Sequence, residues 1–322
     1  MSYKSWQNRL NLYYAFESKA LSKPSSNRPF LLFQDKQWTY YEAYDQVLKY
    51  GTWLKLKHGV KKGDVVAMDF VNGPHFVFLW LALWSLGAVP AFINYNLSGD
   101  SLIHAVKTCG AKLLLIEDEI SSHLSQDVTA ALSGDMSSPD SSNDAIVILH
   151  PEAEADIQAM HGVREPNASR DGIQPEDMAI LIFTSGTTGH PKAAVVAWDK
   201  VFRSAMVMTY ILELKKTDRY YGPMPLYHTT AALLFFCCTL MAGNALIIGR
   251  SFSTKGFWEG KRFLGYYVTS IQTFSNSLLC LTECEAQCHL LTSMVSWLVL
   301  SFANSQNYRH LLLLHNTTGR YC

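Results

Sequence analysis

The sequence predicts a layered α/β protein built around a parallel sheet, and three observations predict it. Over residues 1–119, strand-like and helix-like segments alternate at the spacing of strand–helix–strand units. Two long apolar runs, 76–93 and 231–248, each carry a glycine between a helix-length part and a strand-length part, the pattern of a buried helix feeding a buried strand. Apolar residues make up 48% of the 322-residue chain and charged residues 17%, so a large core can be buried.

The elements follow in order. Residues 31–33 and 38–40 read as a short hairpin turning at Asp35-Lys36. Thr39 then caps a helix running from Tyr40 to about Lys57, with Glu42 at capping-box spacing. Gly63-Asp64 turns into a strand over 65–70, and Gly73-Pro74 opens a helix to residue 86. A strand over 88–93, a helix over 100–107 and a strand over 112–116 complete the alternation. Residues 121–144, with SGDMSSPDSSND at their polar end, read as a surface loop, because so few apolar side chains cannot order it. A strand resumes over 145–149, residues 151–177 read mostly as loop, and 178–183 is an apolar strand. The run 76–93 has the length of a membrane span, yet Gly87 and Pro90 interrupt it, so both apolar runs are expected in the core.

Charge and cysteine content narrow the function classes. Lys plus Arg and Asp plus Glu balance at 27 each, with no basic block, so a nucleic-acid partner is not expected. Seven cysteines form no secreted-type framework, and MSYKSWQNRLNLYYAF lacks the apolar centre of a secretory signal. Both point to a reducing, intracellular setting.

The strand over 178–183 leads into Thr184-Ser185-Gly186-Thr187-Thr188-Gly189-His190-Pro191-Lys192. The glycines let the backbone turn and aim N–H groups at a polyanion. The hydroxyls of Thr184, Ser185, Thr187 and Thr188 can donate to phosphate oxygens, and Lys192 adds a mobile positive charge. Such a loop stabilises charge on triphosphate and pyrophosphate through fixed donors. A Walker-type loop is excluded, because Lys192 follows Pro191 rather than glycine and precedes Ala193 rather than a hydroxyl.

TSGTTGHPK is similar to the signature of the adenylate-forming superfamily, which includes acyl-CoA synthetases, luciferases and peptide-synthetase adenylation domains. Trp38-Thr39-Tyr40-Tyr41-Glu42 and the stretch from Gly63 through Asn72 resemble its early helix entry and first core strand. Gly87-Ala88-Val89-Pro90-Ala91-Phe92-Ile93-Asn94, followed by Tyr95-Asn96-Leu97, resembles the fatty-acid transport protein branch, the very-long-chain acyl-CoA synthetases. Pro225-Leu226-Tyr227-His228-Thr229-Thr230-Ala231 is similar to the next family motif, and Phe252-Ser253 through Phe257-Trp258-Glu259 again resembles that branch.

The resemblance implies the N-terminal domain of the adenylate-forming fold and a two-step reaction. A fatty acid would attack the α-phosphate of ATP to give acyl-AMP, and CoA would then displace AMP. Thr184, Ser185, Gly186, Thr187, Thr188, Gly189 and Lys192 would hold the phosphates with Mg2+ bridging their oxygens. Tyr227, His228 and Thr229 would face the carboxylate, His228 beside the reacting phosphate. Peripheral membrane contact is compatible with this branch, at the endoplasmic reticulum, peroxisome or lipid droplet or from the cytoplasm.

After Glu259 the resemblance stops. Residues 260–322 contain no Asp and no Pro, and only Glu283 and Glu285 as acids. The family pattern requires a later metal-holding acid, an Asp for the ribose hydroxyls and a C-terminal lysine, and none has a counterpart here. Residues 1–259 are therefore expected as a partial, incomplete AMP-binding domain and 260–322 as an aberrant tail of no recognised fold, from a gene-model or splicing artefact. Cys280, Cys284, Cys288 and His289 stand at helical spacing but are expected to be incidental, not metal ligands. Two classes of function stay open at this point. One is a fatty acyl-CoA ligase, or an adenylation domain for another carboxylic acid. The other is a catalytically incompetent ATP- or acyl-binding remnant, acting through association with a full-length relative.

Overall fold

The computed structural model describes residues 10–136, 145–184, 191–222 and 224–251. These belong to the first of two units, 1–267; the second, 268–322, lies outside the described residues together with the cysteine-histidine group at 280–289.

The alternation expected from the sequence is present. Helix α1 (Tyr13–Leu21) precedes strands β1 (Pro29–Phe33) and β2 (Lys36–Thr39), and α2 (Tyr40–His58) follows directly. Thr39 caps α2 through a reciprocal box: its hydroxyl accepts from the Glu42 amide while the Glu42 carboxylate accepts from the Thr39 amide. Then come β3 (Val65–Asp69), α3 (Pro74–Leu86), β4 (Val89–Ile93), α4 (Gly99–Thr108) and β5 (Leu113–Glu117). Helix α5 (Gln126–Met136), β6 (Ile146–Leu149), α6 (Pro151–Ala159) and β7 (Met178–Thr184) lead to β8 (Lys192–Ala197). The described part closes with α7 (Trp198–Ile211), β9 (Arg219–Gly222), a π-helical stretch (Thr230–Cys237), α8 (Cys238–Ala242) and β10 (Ala245–Ile248).

Two sheets result. The larger has the order β6-β5-β3-β4-β7-β8 and is parallel except for β8, which returns antiparallel along β7. The smaller has the order β2-β1-β10-β9, with β1, β10 and β9 parallel. The sheet expected to be parallel is thus one of two, and both carry antiparallel edges.

Helix α3 explains the first apolar run. All residues from Phe76 to Leu86 are buried, so no polar face is needed. Trp80 packs on Phe92 of β4 and on Phe236 of the π-helical stretch, and Phe78 meets Trp38 of β2 edge-on. Trp84 donates its indole N–H to the Ala179 carbonyl at 2.9 Å and lies against Trp198. The helix therefore touches both sheets. The second run is the π-helical stretch, α8 and β10, split at Gly243-Asn244 as expected. Among the described residues, no helix is long and apolar enough to cross a membrane.

Two expectations are corrected. Residues 121–144 are not simply a surface loop: α5 lies within them, with Val128 and Leu132 buried beside Leu102, Ala105 and Val106 of α4. A pair spaced by four is one side of a helix, so two apolar residues suffice to dock it. The Ser/Asp-rich composition belongs mainly to 137–144, outside the described residues. Within 151–177, α6 begins at Pro151, a residue suited to the first helical turn, and inserts Ile157 into the core.

Gly87 joins α3 to β4 with φ 72°, and a Cβ there would collide with the Ser169 carbonyl oxygen. Both the left-handed backbone and the close approach require glycine. Gly87→Ala is expected to lower unfolding free energy by more than about 2 kcal/mol. Denaturant titration of the purified chain measures it, and a loss under about 0.5 kcal/mol would show that the 165–170 segment simply moves aside.

Candidate functional site

The carboxyl ends of the parallel strands meet on one side of the molecule. From β3 the chain passes to Phe70–Gly73, from β4 to Asn94 and Tyr95, from β9 to Met224–Thr229, and from β10 to Gly249 and Arg250. Asn72 hydrogen-bonds to Met224, Leu226 and Gly249, which belong to the exits of β9 and β10. The ring of Tyr95 meets that of Tyr227 edge-on at 5.4 Å, and Arg250 pairs with Glu119 beyond β5. The carboxyl edges of the two sheets are thereby joined, and in open parallel sheets that edge is where ligands bind.

Thr184 and Lys192 stand at the end of the β7–β8 pairing, opposite one another, and the Thr184 hydroxyl donates to the Lys192 carbonyl at 3.4 Å. Both are exposed. Ser185, Gly186, Thr187, Thr188 and Gly189 lie outside the described residues. The hairpin ladder fixes where that segment leaves and re-enters the sheet. The β4–β7 register pairs Ala91 with Leu181 and Phe92 with Ile182. Tyr95, just past the end of β4, reaches Tyr227. The exit of β4 and the Tyr227–His228 motif therefore meet.

Pro225–His228 forms a turn, with the His228 amide donating to the Pro225 carbonyl at 3.0 Å, and Thr229 leads into the π-helical stretch. The His228 ring is exposed, and its Nδ1 accepts from the Thr230 amide at 3.3 Å. An accepting Nδ1 puts the proton of the neutral ring on Nε2, which is left as a donor. Tyr227 is half-buried; burial raises its phenol pKa, the neighbouring Tyr95 raises it further, and a hydrogen bond from Asn96 opposes them. A phenol and an imidazole N–H are thus offered by neighbouring residues at the exit of β4. Such a set can bind and orient an anion.

The AMP-binding enzyme family model matches residues 16–271. The chain belongs to this family. It is 35% identical over 230 residues to the very long-chain fatty acid transport protein of Saccharomyces cerevisiae, covering 70% of this chain and 34% of that protein. It is 33% identical over 234 residues to the medium/long-chain-fatty-acid–CoA ligase FadD6 of Mycobacterium tuberculosis, covering 72% and 37%. The chain thus spans about a third of the length of these relatives. Among solved structures, the N-terminal domain of FACL13 from M. tuberculosis aligns with TM-score 0.64 at 21% identity, over 79% of this chain and 60% of that one. ATP-bound MatB from Rhodopseudomonas palustris aligns with TM-score 0.64 at 18% identity, over 80% and 48%. These two establish the fold: an α/β N-terminal domain of adenylate-forming enzymes.

Beside the AMP-binding motifs lie groups that sequence reasoning did not single out for the site. In the sequence Asn72 only closes the stretch that resembles the first core strand, and nothing in its neighbours signals partners some 150 residues away. Asp69, at the end of β3, is fully buried, and neither carboxylate oxygen has a hydrogen-bond partner among the described residues. Burial, reinforced by the Glu117 carboxylate, pushes its pKa up to about 7. His75 lies between Glu117 and Glu154, at 3.8 and 3.4 Å. Burial lowers its pKa, but the two carboxylates outweigh that and the net shift is upward. Among the described residues, no group of three or more His, Cys, Asp and Glu is gathered.

Asp69 has its folded pKa raised, so the native state holds a proton that the unfolded state releases above about pH 4. Its contribution makes the fold less stable as pH rises from about 4 to about 7, and then levels off. His75, also raised, contributes stability below its unfolded pKa that is lost as pH rises through the folded value. Asp69→Asn is expected to stabilise the protein at pH 8 by roughly 1–4 kcal/mol and to have little effect near pH 4. Thermal unfolding of both proteins across pH 4–8 tests this. An effect of the same size at every pH would contradict it.

Proposed function

We propose that this chain provides the ATP-gripping, acid-facing part of an enzyme that activates a long- or very-long-chain fatty acid, and that this activation is coupled to uptake of the acid. The reading is supported by the Tyr95–Tyr227 contact, which sets the Tyr227–His228 motif at the exit of β4, the strand paired with β7, and by Thr184 and Lys192, which end the β7–β8 pairing. The names of the S. cerevisiae and M. tuberculosis relatives, a fatty acid transport protein and a fatty-acid–CoA ligase, support the substrate class.

In the first step a carboxylate oxygen forms a bond to the α-phosphorus of ATP. The bond from that phosphorus to the α,β-bridging oxygen breaks, and pyrophosphate leaves. Lys192 and the hydroxyls of Thr184, Ser185, Thr187 and Thr188 offset charge on the departing phosphates, while Gly186 and Gly189 let backbone N–H groups approach. His228 donates its Nε2–H to a phosphate or carboxylate oxygen, and Tyr227 and Thr229 orient the acid. In the second step the CoA sulfur bonds to the acyl carbon, the acyl carbon–oxygen bond breaks, and AMP leaves as the thiol proton passes to solvent. The family resemblance also implies Mg2+, which would supply positive charge to the phosphate oxygens when bound with the nucleotide.

The test is calorimetric ATP binding combined with pyrophosphate exchange in the presence of a long-chain acid. Lys192→Ala is expected to raise the ATP Kd at least tenfold, a loss of about 1.4 kcal/mol, and to abolish any exchange. An unchanged Kd would remove Lys192 from the site. ATP binding without exchange, in the wild-type chain, would instead favour a binding role in association with a longer relative.

A further inference from the structure

Asn72 is 2% exposed and belongs to the turn between β3 and α3. Its side-chain amide donates to two carbonyls, Met224 and Gly249, each at 2.9 Å, and its oxygen accepts from the Leu226 amide at 2.7 Å. Only one orientation of the carboxamide satisfies all three. The flipped amide would set its oxygen against two carbonyls and its nitrogen against an N–H. The three partners lie at the exits of β9 and β10, so one side chain from the larger sheet holds two segments of the smaller one.

We propose that Asn72 is the positioning residue of this site: it fixes the 224–226 segment and through it the placement of Tyr227 and His228. The consequence for turnover rests on the function proposed above; the clamp itself does not. Leu226 is buried and directly precedes Tyr227, and the 3.0 Å turn bond from His228 to Pro225 carries the constraint one residue further. Asn72 is itself held at its base, where the Val71 amide donates to the Glu117 carboxylate at 3.1 Å. On its other side Gly73-Pro74 starts the buried helix α3. A side chain fixed at both flanks can transmit position, whereas a mobile one would only follow its partners.

Alanine leaves three backbone groups without a partner. Aspartate keeps the acceptor for Leu226 but, when ionised, turns a second acceptor toward two carbonyls. Protonation of that carboxyl restores one donor.

The test is hydrogen–deuterium exchange on the full 322-residue chain and its Asn72→Ala and Asn72→Asp variants. Asn72→Ala is expected to speed exchange at the Leu226 amide at least tenfold and to loosen peptides over 224–232. Peptides from β4 and β5 keep wild-type protection. Asn72→Asp is expected to show the same local loss at pH 8 and to recover part of it at pH 5. In pyrophosphate exchange, kcat falls at least tenfold while the ATP Kd stays within twofold. Unchanged protection at Leu226 in Asn72→Ala overturns the inference, as does loss of protection throughout the chain, which would mark a general packing role. If the wild type shows no pyrophosphate exchange, the proposed activity fails, and the exchange of Leu226 still decides the role of Asn72.

Discussion

Helix α3 is the contact on which the arrangement depends. From Phe76 onward it is buried on all sides, with Trp80 between Phe92 of the larger sheet and Phe236 beside the smaller one. A helix of this kind can be stable only if two layers close over it, because any exposed side would leave large apolar surface in water. Aromatic side chains supply most of that area, and tilted or edge-on packing adds specificity to it. With α3 enclosed, the strands on either side have their carboxyl ends facing a shared edge. The site follows from this packing, since neither sheet alone brings Tyr95 to Tyr227 or Asn72 to Leu226.

Where sequence could be read, the signals were local. The Thr39–Glu42 box lies within four residues, and both partners are side chains or amides of the same turn, so the pattern alone announces the helix start. The family is legible because nearly every position of TSGTTGHPK is chemically specified. Helix α5 was hidden because only Val128 and Leu132 are needed to dock it, and the serine-rich stretch that follows dominates the composition. Strand β8 was missed because KAAVVA has no strict alternation and pairs only along one edge of β7. Asn72 and Asp69 were illegible for a different reason. Their roles come from partners, or the lack of them, set by the meeting of two sheets, and no local pattern encodes that.

The electrostatics of the edge are divided. Lys192 and Thr184 are exposed at the mouth, where a polyanion can reach them from solvent. Asp69 is buried at the end of β3, and His75 lies between Glu117 and Glu154. With its pKa raised to about 7, Asp69 carries little negative charge at acidic pH, and its contribution to stability falls as pH rises toward 7. Lys192 and His228 face solvent, while Asn72 and Glu117 bond backbone groups at the exits of β3 and β9.

The central claim is that the joined carboxyl edges of the two sheets form one nucleotide site. A crystal structure of this chain grown with ATP tests it most directly. The account predicts the phosphates along 184–192, with an oxygen within hydrogen-bond distance of Nε2 of His228 and the Nζ of Lys192 on the outer phosphates. A nucleotide bound elsewhere on the surface, or phosphates that contact neither the loop nor His228, would contradict it.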